Sequence, residues 1–568
     1  VKKTLPVAPW IADYQLSWLR PDLIAGITVA VLLIPQSMAY ALLAGLPPIT
    51  GMYAALAALV AYSLAGSSRH ISVGPAALDS IMLASGVSLI ASAGSDEYLA
   101  IAILLAALVG IIQLCMGFLR LGFMVNFLAN PVISGFTSAS AIIIGASQLK
   151  HLLGIEIPSS QTLVQTLSAL AHNLDQFNPV ALAMGLFGIA AMWAIKRLSP
   201  KIPAALVLLV LATIVVWLTG LDKHGINIIG TVPEGLPTLK LPVFDHELVA
   251  RVLPLAITIA LIGFMESISM AKRVAADQRY KIDSNRELIG LGSANLASGI
   301  SGGYPVAGSL SRTAVNSSSG ARSQLSSLFT AAMLALVLVA LTPLFYYTPK
   351  VCLAVIIISA LMSLIDIEEP KRLWRVNKKD LIILVLAFVA TLLMGVQNGI
   401  MLSVMASIVL IFSRITRPPV VVFGQSPDTG ELRNIAREAN AQVIPGLLVF
   451  RIDSSLYFAN ASYLEDQVFE RLSQRNDPIV AFLFDASSIN EIDSSAISAL
   501  EDILHEFREL GIEMYVTNGR GRVLDMLQHA GFYDNLGEDH FFYSKRSAIA
   551  HISQYHNLDL PYAAKGGA

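Results

Sequence analysis

A chain of 568 residues that is 55% hydrophobic and only 14% charged, with a mean hydropathy of +0.65, is excluded from the ordinary soluble enzymes. The formal net charge of -2, with Lys and Arg in short clusters between apolar runs, leaves no footprint for nucleic acid or another polyanion. Cys115 and Cys352 both fall inside apolar runs without CxxC or metal-ligand spacing, so neither a metal nor a cofactor is expected.

Residues 1–20 form an N-terminal segment with Lys2 and Lys3 but no short apolar core ahead of a small-residue cleavage site. No removable signal peptide is read, and the first apolar segment is expected to be the first anchor. Apolar blocks begin near Ile24, Met52, Ala76, Leu99, Val125, Val180, Ala204, Leu253, Leu288, Ser309, Leu325, Val351, Leu381 and Ile400. Most approach the roughly 20 residues that a spanning helix needs. An all-α polytopic membrane domain of fourteen segments is therefore predicted over 21–417. The blocks from Ala76 and Ser309 follow "HISVGPAA" and "GGYPVAGS", too broken for whole helices, and read as half-helices.

Arg69, Arg120, Arg197, Lys272, Arg273, Arg322, Lys371 and Arg375 follow even-numbered segments, whereas the other side carries Lys150, Lys223, Lys240, Arg251 and Lys350. The bias places the even loops and both termini in the cytoplasm, for a protein of the cell (inner) membrane. The largest outer loop, 221–249, holds Pro233, Pro237 and Pro242 and no long apolar run.

Composition changes after Arg417. Residues 418–439 read as a polar linker, 440–555 as a soluble α/β domain and 556–568 as a tail. "LLVFRI", "IVAFLFD" and "EMYVT" are expected strands, and "SYLEDQVFERL", "SSAISALEDILHEFREL" and "RVLDMLQHAGF" expected helices.

A faint repeat links the halves. Gln36 in "LLIPQSMAYA" lies 39 positions before Pro75, and Glu266 in "GFMESISMAK" lies 39 before Pro305. With seven segments in each half the copies have opposite topology, and paired broken segments mark the substrate site of a transporter. Half-helices entering from opposite sides would bring their N-termini, near Ala76 and near Ser309 to Ser311, together at midplane. Each start carries unsatisfied N–H groups equivalent to roughly half a positive charge.

Arg312 falls in the first turn of the second half-helix, where it adds a fixed cation. Ser311 adds a hydroxyl, and Gln36 and Tyr40, at i and i+4, add donors from one helix face. The arrangement suits an inorganic oxyanion. The plainer alternatives are an Arg312–Glu266 pair that only joins two helices, and interhelical bonding by Gln36 and Tyr40. Glu266 is a desolvated mid-segment carboxyl, suited to carrying a proton or to holding Na⁺ with carbonyls of a broken helix. Asp79 lies about one turn into the first half-helix, where its charge opposes an anion. It reads either as a second proton or cation site or as a hydrogen-bonded interior residue. No phosphate-binding glycine loop, nucleophile elbow or metal cluster points to an enzyme.

The strings "PDLIAGITVAVLLIPQSMAYALLAGLPPITGMYAA", "SVGPAAL", "QLKHLLG", "SLSRTAVN", "RIDSSLYFANA" and "DASSINEIDSSAI" resemble the SulP sulfate permease family of anion transporters, the group that includes prestin. The resemblance implies a 7+7 inverted repeat, core and gate subdomains in elevator-type motion, a homodimer and a cytoplasmic STAS domain. It also implies anion binding at Gln36, Tyr40, Pro75, Ala76, Ser311 and Arg312. A carboxylate at Glu266 implies cation-coupled symport, whereas Asp79 departs from the family's usual apolar residue.

The expected function is therefore proton-coupled sulfate symport. The alternatives are sodium-coupled bicarbonate or dicarboxylate symport, or a membrane-tethered signalling scaffold acting through its STAS domain and an unidentified protein partner. STAS domains resemble anti-sigma-factor antagonists, which makes Ser494 in "EIDSSAI" a candidate phosphosite. Asp493 as an ordinary N-cap explains the same residues.

Overall fold

The computed structural model describes residues 9–12, 14–123, 130–155, 157, 162–198, 203–362 and 364–558. The segment start expected near Val125 and most of the 556–568 tail lie outside these residues. The chain divides into two compact units, Val1–Ser407 and Ile408–Ala568.

Each of the fourteen apolar blocks contains a helix. The first seven are α1 (Leu19–Leu43), α2 (Pro48–Ala65), α3 (Ala77–Val87), α4 (Asp96–Phe118), α5 (Asn130–Leu153), α6 (Pro179–Leu198) and α7 (Ala204–Thr219). The second seven are α8 (His246–Asp277), α9 (Ser284–Ile300), α10 (Leu310–Ser318), α11 (Leu325–Ala340), α12 (Lys350–Leu361), α13 (Lys378–Met394) and α14 (Val396–Thr416). Among the described residues α1, α2, α4, α5 and α8 are long and apolar enough by themselves to cross a membrane.

The half-helices α3 and α10 are 11 and 9 residues long. Pro75 explains the first break, since it lacks an N–H and pushes Gly74 away from helical dihedrals. Ahead of the half-helices, β1 (Val73–Gly74) and β2 (Ala307–Gly308) pair antiparallel, Val73 with Gly308 and Gly74 with Ala307.

Helix packing reproduces the repeat. Exchanging each helix for the one seven places away converts the α4–α9 contact into α11–α2, α1–α11 into α8–α4, α1–α10 into α8–α3 and α5–α13 into α12–α6. All eight contacts are present. The β1–β2 ladder maps onto itself and so lies on the pseudo-twofold axis. Close approach depends on small residues: a Cβ on Gly110 of α4 would sit 2.8 Å from the Gly292 carbonyl of α9.

Irregular backbone at this depth needs internal partners. Asn295 binds both the N–H and the carbonyl of Val306, and Gln324 donates to the carbonyls of Ser68 and Ile71. Asn316 donates to the His70 carbonyl, and Ser267 accepts from the Gly308 N–H.

In the second unit a six-stranded sheet has the order β4-β3-β5-β6-β7-β8, formed by β3 (Val420–Gln425), β4 (Leu432–Asn434), β5 (Leu447–Ile452), β6 (Ala481–Asp485), β7 (Glu513–Thr517) and β8 (Phe541–Phe542). The expected linker 418–439 is corrected here, because it supplies β3 and β4, and β3 pairs antiparallel with β5. Its β-branched run "VVVF" is masked in the sequence by Pro418 and Pro419 before it and "GQSPDTG" after it. Strands β5 to β8 are parallel.

Leu448, Phe450 and Ile452 pack with α15 (Ala461–Ser473) and α16 (Ser494–Leu510), whereas Leu447 and Val449 face the other side with Ile549 and Ile552. Burial on both faces explains the unbroken apolar run "LLVF". Asp493 caps α16 through the Ala496 N–H at 2.9 Å and also accepts from the Phe458 N–H at 2.8 Å. Ser494 beside it is exposed.

Paired hydrogen bonds from Arg475, 2.7 and 2.6 Å, pull the Asp477 carboxyl down to about 2, against an upward push from burial. A depressed carboxylate stabilises the fold fully above its unfolded value near 4 and loses that contribution as pH falls toward 2. Asp477→Asn should therefore cost this domain about 1 kcal/mol at pH 7, after allowance for screening at a side chain about one-third exposed. Calorimetry of the full chain at pH 7 and near pH 2.5 should show the difference shrinking in acid.

Candidate anion site

The β1–β2 ladder sets the starts of α3 and α10 side by side. Neither helix is capped by its own N-cap side chain: Ala76 has no polar atom to offer, and Ser309 makes no cap bond. Elsewhere Asp245 caps α8 and Asp283 caps α9 through their carboxylates. First-turn N–H groups of the half-helices are thus left to a ligand, and both starts present the positive end of a helix dipole.

Arg312 is fully buried. Its Nη1 donates to the Pro75 carbonyl at 3.0 Å and, more weakly, to Gln36 Oε1 at 3.4 Å, while Nε and Nη2 have no hydrogen-bond partner among the described residues. Leaving a buried guanidinium so incompletely matched costs several kcal/mol unless an anion completes it. The expected roles of two residues change accordingly. Pro75, without an N–H, positions Arg312 through its carbonyl, and the Gln36 oxygen does the same while its amide nitrogen stays a donor.

Gln36 and Tyr40 are both buried on α1. Ser311 is exposed at the start of α10, with its Oγ 3.3 Å from Ser309 Oγ. Ala76 accepts through its carbonyl from Ser80 Oγ, which also meets the Tyr304 hydroxyl at 3.3 Å. A cavity of 880 Å³ reaches Leu78, Leu310 and Glu266, and so touches the first turn of each half-helix and the carboxyl of α8. It extends to Arg273, Lys371 and Arg372.

Glu266 makes no hydrogen bond with Arg312 among the described residues, and its Oε2 is buried without a partner there, so no direct contact between the two joins α8 to α10. Asp79 is completely buried, and neither carboxyl oxygen has a hydrogen-bond partner among the described residues. Its Oδ1 faces α8, 3.4 Å from where a Cβ on Gly263 would stand, one turn from Glu266.

The residues that hold the cradle were not anticipated. Asn295, Gln324, Asn316 and Ser267 clamp the non-helical stretches, and buried Glu287 accepts from the Ser67 and Ser68 N–H groups and the Tyr62 hydroxyl. Their signal was weak, since each lies among other polar or small residues in or beside an apolar block, as Asn316 does in "AVNSSSG" and Ser267 in "MESIS".

Residues 19–387 match the Sulfate permease family and residues 438–548 the STAS domain. The chain belongs to the sulfate permease family. It is a multi-pass membrane protein that transports anions, with an α/β STAS domain, and not an enzyme. Sulfate transporter 4.1, chloroplastic, of Arabidopsis thaliana is 36% identical over 97% of this chain and 82% of its own length. Murine Solute Carrier 26 family member A9, an anion transporter solved in the inward-facing state, aligns with a TM-score of 0.89 at 25% identity, covering 97% of this permease and 94% of that chain. The transmembrane domain of the cyanobacterial bicarbonate transporter BicA gives a TM-score of 0.60 at 28% identity, over 70% of this chain and 98% of its own.

Proposed function

We propose that this permease is a proton-coupled sulfate symporter of the cell membrane, with both termini cytoplasmic, working as a homodimer by elevator-type motion of a core against a gate. The observation that carries the anion site is the buried Arg312 guanidinium, two of its nitrogens without partners among the described residues, between two uncapped helix starts. Two helix ends contribute roughly +1 in sum and Arg312 another +1, which balances a dianion when Glu266 is protonated. An ionised Glu266 leaves the same cradle suited to a monoanion. Proton and sulfate therefore favour each other's binding.

The named plant relative is a sulfate transporter, which supports sulfate over bicarbonate. Asp79, buried and without a donor among the described residues, serves as a second proton carrier beside Glu266. The cavity extends from Glu266 to Arg273 and Lys371, on the side rich in Lys and Arg, which supports an inward-open state. In the STAS domain the capping geometry of Asp493 favours a structural role for the "DSS" string, and phosphorylation of exposed Ser494 is kept as a regulatory proposal.

Labelled-sulfate uptake into proteoliposomes tests the reading. An inward proton gradient should drive accumulation and a sodium gradient should not. Bicarbonate flux that follows sodium, with sulfate flux indifferent to both gradients, would overturn it.

A further inference from the structure

The seam that α3 forms with α5 and α12 is entered by cavities at two separate levels. The 880 Å³ cavity reaches Leu78 and Thr137, and a second, of 190 Å³, reaches Ile81 and Ile143. Leu78 and Ile81 are one turn apart on α3, about 4.5 Å along its axis, and Thr137 and Ile143 are about 9 Å apart on α5. The two cavities thus approach each other along α3 to within about one turn, and the side chains between them form a plug.

That second cavity and a neighbouring one of 270 Å³ are both lined by Lys150, His151 and Lys350. All three side chains are half-buried. Lys150 and His151 stand in the last turn of α5, where the helix dipole favours cations, but Lys350 is the first residue of α12, where the dipole opposes one. The α12 start also lacks a side-chain cap, because its N-cap is Pro349. A lysine against the positive end of a helix, facing a second lysine and an imidazole across shared space, concentrates positive potential on this side of the plug. Gln148 and Ser147 line the first of these cavities and supply neutral donors.

We propose that Lys150, His151 and Lys350 form a second anion site, a recruitment station that collects a divalent oxyanion on the far side of the plug before the cradle opens to it. The station raises the local concentration of the anion and accelerates capture from this side, and it leaves the affinity of the cradle unchanged. The inference rests on the transport reading above.

The test is initial-rate sulfate flux in proteoliposomes of uniform orientation, comparing the unsubstituted chain with Lys150→Gln/Lys350→Gln. For flux entering from the Lys350 side, the double variant should show a KM raised about tenfold, a maximal rate within twofold and a flatter dependence on ionic strength. Flux entering from the Arg372 side should keep its KM. Lys150→Arg/Lys350→Arg, which retains both charges, should behave like the unsubstituted chain. An unchanged KM and salt dependence in the glutamine variant overturns the station and leaves the transport reading standing. Equal loss in the arginine and glutamine variants also overturns it, because the role is then packing and not charge. If the unsubstituted chain moves no sulfate, the transport reading itself fails.

Discussion

Replacing Arg312 by glutamine should lower sulfate affinity and uptake at least 100-fold. The substitution removes the fixed charge and the two guanidinium nitrogens that have no hydrogen-bond partner among the described residues. Hydrogen bonds to a charged group contribute about 1.5 to 3 kcal/mol each, so losing two corresponds to roughly two to four powers of ten in affinity. Lysine should restore little, because a point charge cannot hold the Pro75 carbonyl and Gln36 while presenting a planar fork to the ligand.

Thermal unfolding separates this effect from misfolding. In the unliganded protein Arg312 is a buried cation with incomplete compensation, so its removal should leave the melting temperature unchanged or raise it. The upward shift that sulfate produces in the unsubstituted chain should be absent. A variant that melts many degrees lower without ligand would mark Arg312 as structural and undo the assignment.

The division between what could be read from the sequence and what could not follows the range of the interactions. Fourteen apolar blocks, two of them broken, are local signals, and helices occupy all of them. The 39-residue spacing that pairs Gln36 with Pro75 and Glu266 with Pro305 survives because the inverted repeat constrains both copies. Side-chain direction is not local. Asp79 is awkward in the sequence because a position one turn into a half-helix does not tell which face the carboxyl takes, and only the packing of α3 on α8 turns it toward Gly263. Pro75 could be placed at the site but not given its role as an acceptor for Arg312, which requires the antiparallel register of β1 on β2. The linker that is in fact β3 and β4 was hidden for a related reason, since a short strand flanked by prolines and a turn gains its identity from pairing with β5, 26 to 32 positions on.

Glu266→Gln should lower proton-driven accumulation of sulfate at least tenfold, and should leave sulfate–sulfate exchange within about threefold of the unsubstituted rate. Glutamine imitates the protonated carboxyl in shape and charge, so the cradle remains matched to a dianion. What is lost is the carrier whose discharge on one side and recharge on the other ties anion movement to the gradient. The same arithmetic gives Asp79 a separate signature. A sulfate accompanied by two protons, one on Glu266 and one on Asp79, moves no net charge, whereas Asp79→Asn leaves one proton and a net charge of -1. Uptake by Asp79→Asn should therefore slow under an inside-negative potassium diffusion potential, and uptake by the unsubstituted chain should not. Accumulation that ignores the membrane potential in both would remove Asp79 from the coupling, and accumulation that survives in Glu266→Gln would remove Glu266 as well.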